Sequence, residues 1–164
     1  MTRLSASILL LACLIYAGPS QAARLPTDDP AYADCITRAT QAFGVPELAL
    51  WVLLDVEAGK LGQVSRNTNA TYDIGPMQVN SWWLKHLAKR GITEDMVLNN
   101  LCMNISVGAW ILAQEVERHR DLVQALAHYH SPTPQHQRRY LGLIIRAIDR
   151  RLGRLRAGEV TLAK

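Results

Sequence analysis

The chain has 164 residues, room for one domain. Its formal net charge of +4 is mild and singles out no partner; it suits an anionic polymer, but many solvated surfaces carry as much.

The first 22 residues read as a signal peptide and stand apart from the fold. Arg3 supplies the positive start, Ile8 to Ala17 is an unbroken apolar run, Gly18-Pro19 breaks it, and Ser20-Gln21-Ala22-Ala23 offers small residues for cleavage. Such a run is too short to span a bilayer, where about 20 residues are needed. Two alternatives stand beside cleavage: lipidation at Cys13 within Leu10-Leu11-Ala12-Cys13, and retention as an uncleaved anchor. Export places the mature chain in the periplasm. Its two remaining cysteines, Cys35 and Cys102, then read as one disulfide, against the plainer reading of two buried thiols.

Residues 23–30, with Pro26 and Pro30, read as an extended lead-in to a domain spanning 31–156, followed by a frayed tail over 157–164. Helical periodicity runs through that domain. Tyr32, Cys35, Ile36, Ala39 and Phe43 share a face, and Gly44 ends the first helix. A second, from Pro46 to Ala58, is apolar nearly all round and belongs in the middle of the fold. Residues 60–75 lack a helical period and predict a long ordered loop with room for a short hairpin. Asn80 or Ser81 caps a third helix that Gly91 stops, Thr93 caps a short one to Leu98, and a longer one runs from Cys102 to His119. Asp121 caps the next, with Leu122, Ala125, Leu126 and Tyr129 on one face. After Ser131-Pro132-Thr133-Pro134 comes a basic amphipathic helix with Tyr140, Ile144, Ile148 and Leu152 inward. The fold class is all-α: packed helices around one buried helix.

Glu57 breaks the pattern. It lies three, four and seven residues after Leu54, Leu53 and Leu50, so the apolar stripe of the second helix ends in a carboxylate. Partial burial and the negative end of the helix dipole both favour its protonated form, the property a general acid for a glycosidic oxygen requires. The plain alternative is a Glu that turns to water or pairs with Arg66. Asp55 falls on nearly the opposite side of the helix, and Asp73 reads as a turn-organising residue. In Asp73-Ile74-Gly75-Pro76-Met77-Gln78-Val79-Asn80, the amides of Gln78 and Asn80 suit sugar hydroxyls and N-acetyl groups. Gly75 permits close backbone approach, and Met77 offers an apolar surface for a sugar face. Against this stands a loop whose amides serve its own backbone.

Glu57-Ala58-Gly59, the run from Asn67 to Asn80, Trp82-Trp83-Leu84, Asn104 to Leu112 and Ala125 to Ser131 together resemble the soluble lytic transglycosylase domain, whose relatives have the goose-type lysozyme fold. The similarity covers roughly Asp34 to Tyr140. It implies that one Glu protonates the bond between N-acetylmuramic acid and N-acetylglucosamine, then acts as base while the muramic 6-hydroxyl attacks C1. The product is a 1,6-anhydro sugar, and no second carboxylate is needed. By position, Glu57 is the acid and base, Gly75, Met77, Gln78 and Asn80 line the glycan groove, and Tyr129 orients Glu57 or the substrate N-acetyl group. The two cysteines and the loop wording are most similar to small enzymes of secretion, conjugation or pilus systems. Ala58 stands where the family has Ser, Pro76 where Leu is common, Ala70 where Gly is common, and His130 where Asn follows the Tyr.

A hydrolytic lysozyme is the nearest rival, and Asp73 would be its second carboxylate. A wall-binding assembly factor without chemistry is another. No cofactor and no metal site is expected, because the histidines show no spacing that gathers them with the cysteines, and His128 and His130 face different sides. Expected partners are glycan strands and components of a secretion, conjugation or pilus machine, with no nucleic acid and a monomeric chain.

Overall fold

A computed structural model describes residues 29–158. The expected signal peptide, Cys13 and most of the lead-in and tail lie outside them. Among the described residues no helix is long and apolar enough to cross a membrane.

Among the described residues, seven α-helices and one small sheet make up the domain. Helix α1 (Pro30–Phe43) opens with Asp29 accepting a bond from the Ala31 amide, and closes at Gly44, whose φ of 67° lies in the left-handed region. The expected lead-in therefore ends one residue early: Pro30 lacks an amide hydrogen and starts the helix instead. Helix α2 (Glu47–Glu57) buries every residue from Ala49 to Leu54, as its all-round apolarity predicts. Asp55, on the same helix, is matched by Arg151, which donates to its two carboxylate oxygens at 2.5 and 2.7 Å. Both side chains are buried, and the guanidinium lies 4.4 Å from the Trp51 ring centre.

The expected loop over 60–75 holds the short hairpin, and a third strand follows beyond it. Strands β1 (Val64–Arg66), β2 (Tyr72–Ile74) and β3 (Val79–Asn80) form an antiparallel sheet in the order β1-β2-β3. Asp73 is paired with Ser65 on one side and Asn80 on the other. Strands of two or three residues are too short to show a period of two, which is why sequence patterning allows a hairpin there without fixing its strands. Asn80 then caps a 3₁₀ turn (Ser81–Trp83) that runs into α3 (Leu84–Ala88).

Thr93 caps α4 (Glu94–Asn99), Asn100 caps α5 (Leu101–His119), and Asp121 caps α6 (Leu122–His130), each by accepting the amide hydrogen of the third residue of its helix. Helix α7 (Pro134–Arg156) closes the chain. Helix α5 packs against α1, α4 and α6, while α7 covers α2 and α6. The bridge Cys35–Cys102 joins α1 to the first turn of α5, settling the cysteines as a disulfide. Two residues beyond that bridge is Asn104, wholly buried. Its amide group donates to the carbonyls of Ile74 (2.9 Å) and Val97 (3.0 Å), and its oxygen accepts from the Met77 amide (2.8 Å). One side chain thus ties the Ile74–Met77 turn and the α4 helix to α5.

Candidate active site

Glu57 is the last residue of α2, and Ala58 turns the chain with a φ of 49°. The loop closes tightly over that turn. A Cβ added to Gly59 would overlap the Gly75 carbonyl and the Gln78 amide, and one added to Gly75 (φ 66°) would overlap the Asn104 amide. Glycine at both positions lets the 75–78 turn abut the end of α2.

Opposite, α7 brings Tyr140 to Glu57. The phenol donates to Glu57 Oε1 at 2.6 Å across 83 positions of sequence. Burial pushes the Glu57 carboxyl up from its usual 4.5 to about 7; the Tyr140 bond pulls it down and the Asp73 charge pushes it further up. Both the protonated and the ionised form are therefore accessible near neutral pH. Burial and the Glu57 charge hold the Tyr140 phenol far above its usual range, so it remains a donor. The ring of His130 lies flat on that of Tyr140, with centroids 4.3 Å apart and planes 3° apart. His130 is held below its usual value, chiefly by burial.

The residues singled out from sequence meet here in unequal ways. Tyr129 lies close enough for the charges of Glu57 and Asp73 to raise its pKa, after burial, but its hydroxyl donates to the Met77 carbonyl at 2.8 Å. The phenol bonded to Glu57 is Tyr140's, a residue the sequence marked only as inward-facing. Met77 does not face a groove. Its side chain is completely buried and packs on Gly108, where any Cβ would overlap it, so it is a core residue whose backbone serves the site. The closeness that Gly75 permits is to Asn104, inside the protein. Gln78, at a φ of 47°, donates its side-chain amide to the Gly75 carbonyl at 2.9 Å. Asn80 donates to Thr71 (3.1 Å) and Asp73 (2.7 Å) and accepts from the Trp82 amide. Asp73 also accepts from Asn67 at 3.0 Å. The loop amides thus serve the loop, and Asp73 is bound as an organiser of the sheet. Asn104 and Tyr140 were missed as site-building residues because each acts on a segment remote in sequence.

A partly buried carboxyl raised to about 7, a phenol donating to it and a turn of backbone packed beside it thus stand together at the end of α2. Residues 34–141 match the family model described as the transglycosylase SLT domain, and the chain belongs to that family. It is 32% identical to Invasion protein IagB of Salmonella typhimurium strain LT2 over 104 residues, which are 63% of this chain and 65% of that protein. It is 30% identical to Protein IpgF of Shigella flexneri over 81 residues, 49% of this chain and 53% of that one. The match spans less than two thirds of the length of these curated relatives.

Proposed function

We propose that the protein is a peptidoglycan lytic transglycosylase with Glu57 as its only catalytic acid and base. In the first step the Glu57 proton passes to the glycosidic oxygen, and the bond from that oxygen to C1 of N-acetylmuramic acid breaks. In the second, the Glu57 carboxylate takes the proton of the muramic 6-hydroxyl as O6 bonds to C1. The acid regains its proton, and no water is consumed. The observation that carries this reading is the Glu57 carboxyl itself, partly buried at the tip of α2 and raised to about 7, where one group serves both steps. The bonds that Asp73 accepts from Asn67 and Asn80 support reading it as a sheet organiser instead of the second carboxylate of a hydrolase. Tyr140 positions the acid. Gln78, Asn80 and Tyr129 are proposed to shape the groove that receives the glycan, with Gly75 and Met77 acting through the backbone behind it.

The setting is proposed as the periplasm, reached through the N-terminal signal, with local opening of the wall for a secretion, conjugation or pilus apparatus. The similarity to a protein named for invasion supports that setting. Digestion of purified peptidoglycan by wild type and Glu57→Gln, read by mass spectrometry, tests the chemistry. Wild type yields anhydro-muropeptides and the variant none. Products carrying one added water would establish hydrolysis instead, and strand binding without cleavage by either protein would establish a binding factor.

A further inference from the structure

Away from Glu57, three potential metal ligands converge between α5 and α6. Glu115 and His119 are one helical turn apart on α5, and His128 comes from α6. Glu115 is only 5% exposed. The His119 and His128 rings stack with centroids 4.0 Å apart and planes 25° apart. The donor atoms of the three side chains all lie within 4.8 Å of one another. His119 Nε2 is 3.3 Å from Glu115 Oε2, an ion pair when the imidazole is protonated, yet the atom is buried and makes no hydrogen bond among the described residues. The nearest cation is Arg118, which donates to both Glu115 oxygens at 2.7 and 3.0 Å from a side chain 62% exposed, and so is able to swing into water.

We propose that Glu115, His119 and His128 form a binding site for a divalent transition metal of the zinc class. Two imidazoles and one carboxylate are a zinc donor set that leaves a fourth position for water. Tetrahedral zinc with bonds of about 2.1 Å holds its donors about 3.4 Å apart. Glu115 and His119 already meet that spacing. His128 reaches it by turning its ring off the stack, while Arg118 releases Glu115 to the metal. The ion then pins α6 to α5. Tyr129, the residue after His128, carries the bond to the Met77 carbonyl, and His130 lies on Tyr140, so the metal steadies the side chains that frame Glu57. Its own role is structural, and the proposal stands whether or not the Glu57 chemistry is as proposed.

Isothermal titration of the chelator-treated full chain with zinc chloride, paired with thermal melting, tests it. Wild type is expected to bind one zinc per chain and to melt higher with zinc but not with magnesium. His128→Ala should lower affinity by roughly tenfold or more and abolish the rise in melting temperature, with an unchanged circular dichroism spectrum. Glu115→Gln, isosteric and uncharged, should weaken binding in the same way. Cobalt titration of wild type should give the intense visible bands of a tetrahedral ion. Absence of binding by wild type, or unchanged zinc affinity in His128→Ala, would overturn the site.

Discussion

Replacing Glu57 by Gln should stabilise the protein, and only above acidic pH. In the folded chain burial holds the carboxyl's proton until about 7, whereas in the unfolded chain it leaves near 4.5. A group whose folded pKa is raised supports the fold fully below its unfolded value, and that support is lost as pH rises through the folded value. Wild type therefore loses stability between about pH 4.5 and 7. At roughly 1.4 kcal/mol per tenfold, the gap is worth about 3 kcal/mol. Glu57→Gln keeps an oxygen for the Tyr140 hydroxyl and carries no charge, so it escapes the loss. Urea unfolding followed by circular dichroism at pH 4 and pH 8 isolates the effect, because the other titrating groups largely cancel between the two proteins. The variant's advantage over wild type should be larger by about 3 kcal/mol at pH 8, or roughly 10 °C in melting temperature for a domain this size. An advantage that is the same at both pH values would refute the buried, proton-holding acid. Cleavage should fall as pH rises through about 7, since the first step needs the protonated form.

Tyr140→Phe removes the bond that lowers the Glu57 pKa; the alkaline limb of the pH–rate profile should move upward and turnover should drop by about ten- to a hundredfold. An unmoved limb would deny Tyr140 its positioning role. Asp55→Ala takes the carboxylate from a buried guanidinium and should cost about 3–5 kcal/mol in urea unfolding. Gly75→Ala meets both a positive φ and the Asn104 amide, so it should cost more than the roughly 1–3 kcal/mol of backbone strain and lower the melting temperature accordingly. Reducing Cys35–Cys102, which closes a 67-residue separation, should cost about 4 kcal/mol, measured by denaturation with and without reductant.

The features read correctly from sequence are those whose cause is local. Gly44, Thr93 and Asp121 mark helix ends because a left-handed turn or a short side-chain acceptor works within a few residues. Glu57 stands out because helical spacing alone places it on the stripe of Leu50, Leu53 and Leu54. What escaped the sequence is what two distant segments make together. Tyr140 meets Glu57 only after α7 docks on α2. The Glu115–His119–His128 group escapes a search for paired histidines because one ligand is a carboxylate and another comes from the next helix. Met77 shows the reverse error. In the 75–78 turn the Gln78 amide bonds back to the Gly75 carbonyl, and the methionine is rolled into the core instead of toward a sugar.

Asn104 gives the turn from Ile74 to Met77 a particular mechanical character. The amide of Met77 and the carbonyl of Ile74 are both latched to a side chain rooted in α5, so that edge has no hinge of its own. Its protons should exchange with solvent only when the whole domain comes apart, as slowly as those of the deepest helix. Under the proposed function, a glycan strand docking beside Glu57 meets one edge already set, and any yielding needed to admit it comes from elsewhere.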